Sequence, residues 1–186
     1  IYFVLMIFII LGSSNSVNFT DGLDGLATGS LIISFSSITI FTYIAGNSVY
    51  SSYLYLPFIS NVGEIVVFIA ALIGSLLGFL WYNSNPAQIF MGDTGSIPMG
   101  ATLGLVAILI KQEFLLLIIG GVFVIEAISV IIQIFSFRMF NRRIFLIAPI
   151  HHHFENLGIK ESKIVIRFWI IGIIFSLIAI ATLKIR

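Results

Sequence analysis

The stretch Val62-Gly-Glu-Ile-Val-Val-Phe-Ile-Ala-Ala-Leu-Ile-Gly-Ser-Leu-Leu-Gly-Phe-Leu-Trp-Tyr82 carries one charge, Glu64, and otherwise runs apolar from end to end. A helix needs about 20 such residues to cross about 30 Å of hydrocarbon. No alternation of strand type interrupts it, and a helix satisfies its own backbone polar groups in lipid. Comparable runs lie on either side, at 1–12, 26–46, 96–110, 114–137 and 164–183. The expected fold is all-α, a polytopic transmembrane helix bundle of about six spans, forming one integral membrane domain over 1–186. The run 96–110 is short and holds Pro98 near its start. The run 1–12 would reach only about 18 Å at about 1.5 Å per residue. It begins at Ile and lacks the basic segment of a signal peptide. The sequence is therefore expected to begin inside a membrane helix, with upstream sequence missing.

Composition supports the same class. The 186 residues are 59% hydrophobic and 9% charged, with a mean hydropathy of +1.15. Soluble domains hold about 45–50% apolar and about 25% charged residues. A soluble globular domain and a disordered chain are both excluded. The net charge of +1 gives no electrostatic case for nucleic acid as a partner. With no cysteine, disulfides and thiolate metal sites are impossible.

Lys and Arg set the expected orientation. Arg138, Arg142, Arg143, Lys160, Lys163 and Arg167 gather in 138–167, six of the nine basic residues. The positive-inside rule places that segment in the cytoplasm. Alternation then puts 13–25 and 83–95 on the same side, and 47–61 and 111–113 outside. Lys184 and Arg186 fall outside and mildly oppose the rule. Five of the eight carboxylates, Asp21, Asp24, Asp93, Glu155 and Glu161, lie in the three cytoplasmic loops, as do all three histidines.

The first loop reads Asn15-Ser-Val-Asn-Phe-Thr-Asp-Gly-Leu-Asp-Gly-Leu-Ala-Thr-Gly29. Asp21 and Asp24 share a face if the next helix has begun there. Thr20 or Asp21 is a candidate cap, and Gly22 and Gly25 let a ligand approach the backbone. A helix N-terminus suits phosphate, but the acids would repel it, so a cation or a sugar or base hydrogen bond suits them better. A plain capped helix start is the bland alternative. The second loop reads Asn83-Ser-Asn-Pro-Ala-Gln-Ile-Phe-Met-Gly-Asp-Thr-Gly-Ser96. Asp93 lies among glycines and hydroxyls and is a candidate Mg²⁺ ligand, because Mg²⁺ takes one or two carboxylates plus phosphate and water oxygens. Asp93 or Ser96 as an ordinary cap is the alternative. Phe90 suits either an interfacial aromatic or a stacking platform.

The third loop holds Ala148-Pro-Ile-His-His-His-Phe-Glu155. Consecutive residues on a regular element cannot all face one ion, which weakens a shared metal site. One or two imidazoles could bind phosphate or move protons near neutral pH. Glu126 lies near the middle of the fifth run, with Gln133 two turns on along the same face. A carboxylate there costs roughly 2.5–3.5 kcal/mol on insertion scales and should face the bundle interior, where a structural group, protonated and hydrogen-bonded to a neighbouring helix, is the bland alternative.

Asn18-Phe-Thr-Asp-Gly-Leu-Asp-Gly-Leu-Ala27, Phe90-Met-Gly-Asp-Thr-Gly-Ser96 and Pro149-Ile-His-His-His-Phe-Glu155, in that order, resemble the phospho-N-acetylmuramoyl-pentapeptide transferase family. This family falls within the polyprenyl-phosphate N-acetylhexosamine-1-phosphate transferases, and the resemblance covers essentially the whole chain. Arg167-Phe-Trp-Ile170 also fits its last helix. The resemblance implies ten transmembrane helices, with this chain holding the last six, in the bacterial cytoplasmic membrane with the site on the cytoplasmic face. It implies transfer of phospho-MurNAc-pentapeptide from UDP-MurNAc-pentapeptide to undecaprenyl phosphate, giving lipid I and UMP for peptidoglycan. It implies Mg²⁺ as cofactor and a homodimer. By the same resemblance Asp93 would bind Mg²⁺, and Asn18, Asp21, Gly22, Leu23 and Asp24 would line the uridine pocket with Phe90 stacking nearby. Asn83, Ser96, Gln133 and Ala148 match further substrate-contacting positions, and His151, His152 and His153 match the family's catalytic triple-histidine loop.

One departure matters. The family carries an Asp-Asp pair and essential lysines on earlier helices, and no Asp-Asp occurs here. The chain alone is therefore expected to be inactive. Three alternatives stand beside this reading, one of them a degenerate, non-catalytic remnant, against which the intact motifs argue. A sister transferase would use UDP-GlcNAc, although the Pro-Ile-His-His-His-Phe-Glu string favours the muramoyl-pentapeptide branch. A transporter would use Glu126 as a proton relay, but would line several spans with polar residues, which instead collect in loops.

Overall fold

The computed structural model describes residues 2–184, and Ile1, Ile185 and Arg186 lie outside the described residues. The described residues hold nine α-helices and two short 3-10 turns, with no strand among them. The helices are α1 (Tyr2–Thr20), α2 (Leu26–Gly46), α3 (Ser48–Tyr53), α4 (Ile65–Asn83), α5 (Gly92–Leu109), α6 (Glu113–Ile119), α7 (Gly121–Phe140), α8 (Ile150–Asn156) and α9 (Glu161–Ala181). The chain is an all-α, multi-pass membrane bundle.

Among the described residues five helical segments are long and apolar enough to cross a membrane by length and composition: α1, α2, Val62–Asn83, α7 and α9. The segment Val62–Asn83 begins with a 3-10 turn at Val62–Glu64 and continues into α4. At about 1.5 Å per residue its 22 residues reach about 33 Å. Exposed Trp81 and Tyr82 mark one end, and exposed Tyr53 and Tyr55 precede the other. Amphipathic rings of this kind settle at membrane interfaces. The expected fourth span is helical as α5, but its first turns, Gly92-Asp-Thr-Gly-Ser96, are polar. The expected fifth span is broken. Gly120 interrupts it, separating the two-turn α6 from α7.

Two boundaries correct the sequence reading. The polar run 13–20 is not loop but the continuation of α1. Its side chains fold back on their own helix: Ser13 Oγ donates to Ile9 O, Asn15 Nδ2 to Leu11 O, Ser16 Oγ to Gly12 O and Thr20 Oγ1 to Ser16 O. Such bonds to the carbonyl four residues back let Ser and Thr sit inside a helix. The second correction concerns the cap. Thr20 and Asp21 do not cap α2, because Gly25, in the left-handed conformation at φ 78°, is its N-cap residue. Asp21 and Asp24 lie in the turn before it and share no helix face.

α2 runs through the centre of the bundle. Within its most apolar window 61% of residues are buried, against 11% for α4. It packs against α4, α9 and α5, while α1 packs on α5 and α7. The main core joins Leu31, Phe35, Ile38 and Phe41 of α2 to Leu103 and Val106 of α5. Helices in lipid gain little from apolar burial against one another, so small residues and hydrogen bonds set close contacts. α5 carries Gly100 and Gly104, one turn apart. A Cβ on Gly100 would lie 2.5 Å from Ser13 O and 2.8 Å from Ser14 Cα. Ser14 Oγ also donates to Ile97 O at 2.7 Å.

Gly100→Ala should therefore force α1 away from α5, at a cost of about 1–3 kcal/mol typical of overpacking. Gly78→Ala, where nothing lies within 4 Å of the added carbon, should be neutral or better. Thermal unfolding of both variants in detergent checks this. Equal melting temperatures would contradict the close approach.

Candidate functional site

The three polar loops meet at one end of the bundle. Asn18, on the last turn of α1, donates from Nδ2 to Asp93 Oδ1 at 2.7 Å and to Ser96 Oγ at 3.0 Å. Ser96 is fully buried and donates to Gly92 O. The first and second motifs are thus joined, although 75 residues separate Asn18 from Asp93. Asp93 sits in the first turn of α5, where the helix dipole favours a carboxylate, and its side chain faces solvent.

Asp21 stands beside this pair. Burial raises its carboxyl from 3.8 to about 6, and the charge of Asp93 pushes the same way against a hydrogen bond from Gly92 N–H. Two carboxylates that sense each other, with hydroxyls nearby, form an all-oxygen donor set. This suits Mg²⁺, which completes its shell with substrate phosphates and water. Among the described residues no group of three or more His, Cys, Asp or Glu is gathered for a metal.

Asp24 takes a different part. Its Oδ2 accepts from Ala87 N at 2.9 Å and from Asn85 Nδ2 at 3.2 Å. Its own backbone N–H donates to Glu161 Oε1 at 2.7 Å, and Asn85 also donates to Glu161 Oε2. Asp24, Asn85 and Glu161 thus tie the first loop to the second and to the start of α9. Asn83 is buried, and its amide accepts from Thr28 Oγ1 and donates to Ile89 O. It fixes the turn that presents Phe90, which is 76% exposed. Leu23 is buried in a second apolar cluster with Leu26, Val122 and Phe168. Leu23 and Asn83 are thereby turned inward in this conformation, while Asp93 and Phe90 face outward.

The three histidines form part of α8 and point to three partners. His151 Nδ1 lies 3.1 Å from Glu126 Oε2, His152 Nδ1 lies 2.9 Å from Glu155 Oε2, and His153 Nδ1 accepts from Leu146 N at 3.2 Å. The spacing argument against one shared ion agrees with this divergence. The link to the first motif is Gly22, since a Cβ there would fall 2.3 Å from His151 Nε2 and 3.3 Å from His152 Nε2. Gln133 accepts from Ile144 N and Phe145 N and donates to Phe145 O, holding the loop after α7. Gln133 and Ala148 also line a cavity of about 460 Å³ with Arg138 and Arg143. Sequence reasoning missed Asn85 and Glu161 as anchors. Their residue types gave no signal, because their role exists only across loops.

Asp21 yields a test by pH. The folded chain holds the Asp21 proton more tightly than the unfolded chain. Protonation therefore favours the fold fully below about 3.8, and this contribution is lost as pH rises through about 6. Asp21→Asn stays neutral and lacks the dependence. The melting temperature of the variant minus that of the parent should rise between pH 4 and pH 7. A difference that does not change with pH would overturn the burial account.

A family model described as glycosyl transferase family 4 matches residues 1–111. The chain is 56% identical over 187 residues to a phospho-N-acetylmuramoyl-pentapeptide-transferase of Brachyspira hyodysenteriae, covering 100% of this chain and 49% of the relative. It is 55% identical to the protein of the same name from Desulfotalea psychrophila, covering 100% of this chain and 52% of that one. Against the one from Campylobacter lari it is 57% identical, covering 98% and 52%. The chain spans about half the length of the curated relatives it matches. With the three motifs joined at one end of an apolar bundle and a family match over more than half its residues, the chain belongs to glycosyl transferase family 4.

Proposed function

We propose that this chain carries the nucleotide and metal side of an enzyme that moves phospho-N-acetylmuramoyl-pentapeptide from UDP to undecaprenyl phosphate and releases UMP. The observation that carries this reading is the joining of Asn18, Asp93 and Ser96 at the bundle end, beside Asp21 and the α8 histidines. The names of the relatives support it. The site would lie at the cytoplasmic face of the bacterial inner membrane, and two copies would assemble as a homodimer.

Phosphoryl transfer depends mainly on positioning and charge neutralisation. Asp93, with Asp21 beside it, would hold Mg²⁺, which when bound would neutralise the donor pyrophosphate and help UMP leave. Asn18 holds Asp93 by one oxygen, which leaves the other free to bind a ligand. Exposed Phe90 offers a flat apolar face for a base. In this reading an oxygen of the lipid phosphate attacks the sugar-linked phosphorus directly, and the bond from that phosphorus to the UMP oxygen breaks. The acceptor is a lipid, so a site at the end of apolar spans lets its phosphate reach the loops while its chain stays in the membrane.

In a full-length chain carrying this sequence, Asp93→Asn should lower UMP release with UDP-MurNAc-pentapeptide and undecaprenyl phosphate by at least about 100-fold. Turnover near that of the parent would overturn the assignment. The same assay with UDP-GlcNAc separates the sister activity, which this reading expects to be absent.

A further inference from the structure

The connection between α2 and the span Val62–Asn83 carries no charged residue from Asn47 to Asn61. It is nevertheless well tied. Asn47 Oδ1 caps α3, accepting from Val49 N at 3.0 Å and from Tyr50 N at 3.1 Å. After α3 the N–H of Leu56 donates to Ser51 O and that of Tyr55 to Ser52 O, the paired bonds that close many helix C-termini. One side of the segment turns inward, with Ser51 and Leu56 buried. The other side shows Val49, Tyr50, Tyr53, Tyr55 and Phe58, with Tyr53 and Tyr55 at 77% and 81% exposure.

Three contacts hold this segment level with the ends of the spans. A Cβ on Gly46, the last residue of α2, would lie 2.5 Å from Gly63 N, so the end of one span touches the start of the next. Ile59 N donates to Ala45 O at 2.9 Å, back inside that end. The Tyr50 ring lies 6.0 Å from the ring of Tyr43, which is about one turn inside α2 and itself exposed. α3 therefore folds back along the side of α2 instead of projecting beyond it, and its aromatic face continues the exposed side of a membrane span. Tyr55 adds an independent sign. Its φ is 55°, in the left-handed region, at the position after a helix where glycine is usual because a side chain is strained there. An outlier of this kind points to a function for the residue that bears it, and here that residue has the most exposed ring of the segment.

We propose that the segment 47–61 is embedded in the headgroup layer of the leaflet opposite the three motifs, with Tyr50, Tyr53, Tyr55 and Phe58 packed on phospholipid. Tyrosine suits this layer, because its ring lies against acyl carbon while its hydroxyl reaches a headgroup or water. No charged group has to leave water for the segment to settle there. An exposed apolar face marks a contact surface, and its continuity with the side of α2 makes lipid the occupant. Aromatic belts need only rings at the ends of spans, whereas here the whole connection joins the layer. It then pins the end of α2 and the start of Val62–Asn83 at one membrane surface. Without charge the attraction is not electrostatic, so it does not depend on anionic lipid. The inference is independent of the transferase reading.

Spin-label accessibility tests it. Ser52 is exposed between the rings, so Ser52→Cys places a nitroxide in the segment without removing any of them. In a full-length chain carrying this sequence, with other cysteines removed and reconstituted in phosphatidylcholine vesicles, that label should collide more with oxygen, which concentrates in lipid, than with a water-soluble nickel chelate. A label at Val67→Cys, on the exposed side of α4, should behave the same way, and one at exposed Lys160→Cys should show the reverse. Preference for nickel at Ser52→Cys would overturn the proposal. So would a label screened from both reagents, which would mean that an upstream segment or a second copy covers the face. Adding Tyr50→Ser, Tyr53→Ser and Tyr55→Gly should lower the oxygen-to-nickel ratio at Ser52→Cys by at least about threefold. Tyr55→Gly alone, which relieves the strained φ and so keeps the fold, should lower it in the same direction. A ratio unchanged in both variants would overturn the role of the rings. The parent ratio should be the same when phosphatidylglycerol is added to the vesicles, and a ratio that rises with anionic lipid would overturn the uncharged contact.

Discussion

Where α1 crosses α5, Gly100 and Gly104 leave room for little more than the backbone of Ser13 and Ser14. That close approach sets the height of α1 against α5. Asn18 is one turn further along α1, and its amide therefore arrives at Asp93 and Ser96 in the first turns of α5. In water such a contact would be driven by apolar burial. In lipid the driving force is packing and hydrogen bonding, so small residues become the means of precise placement. The position of the proposed metal-binding carboxylate follows from two glycines in the membrane.

From this contact the rest of the bundle end is assembled by polar ties. Asp24, Asn85 and Glu161 join the turn before α2, the loop after α4 and the start of α9. Trp169 packs onto Gly29 and donates to Gly25 O, drawing α9 against α2. His151 closes the other side by reaching both Gly22 and Glu126. Several of the acids in the three loops therefore have structural partners, and the outward-facing Asp93 is held by Asn18 through Oδ1. A polar cluster at a membrane surface must both hold its loops and leave some groups free for a ligand. Here the two tasks fall to different residues of the same motifs.

Much of this was legible in the chain. Long apolar runs gave the helical bundle, and the spans at 26–46 and 62–82 agree closely with α2 and Val62–Asn83. The gathering of polar residues into three loops anticipated their meeting at one end. The misreadings have definite causes. Residues 13–20 look like loop because Ser, Asn and Thr favour turns, yet inside α1 their side chains bond to their own helix. The break at Gly120 is invisible in hydropathy, and so is the close packing of Phe175 where a Cβ on Gly121 would sit. Glu126 was expected to face the bundle interior, but nothing near it in sequence names His151 as its neighbour.

The sequence by itself determined the solvent this protein lives in, the class of its fold, and which residue types were available at its interface. These are properties of composition and of short stretches, and transfer from water to lipid acts on each stretch nearly independently. Tertiary structure decided which of the polar residues hold the loops and which stay open, and that His151 is sealed between Glu126 and Gly22. Those outcomes depend on contacts such as Asn18 with Asp93 and Glu126 with His151. The partners are far apart in the chain, and only the packing of glycines and small side chains between helices brings them together.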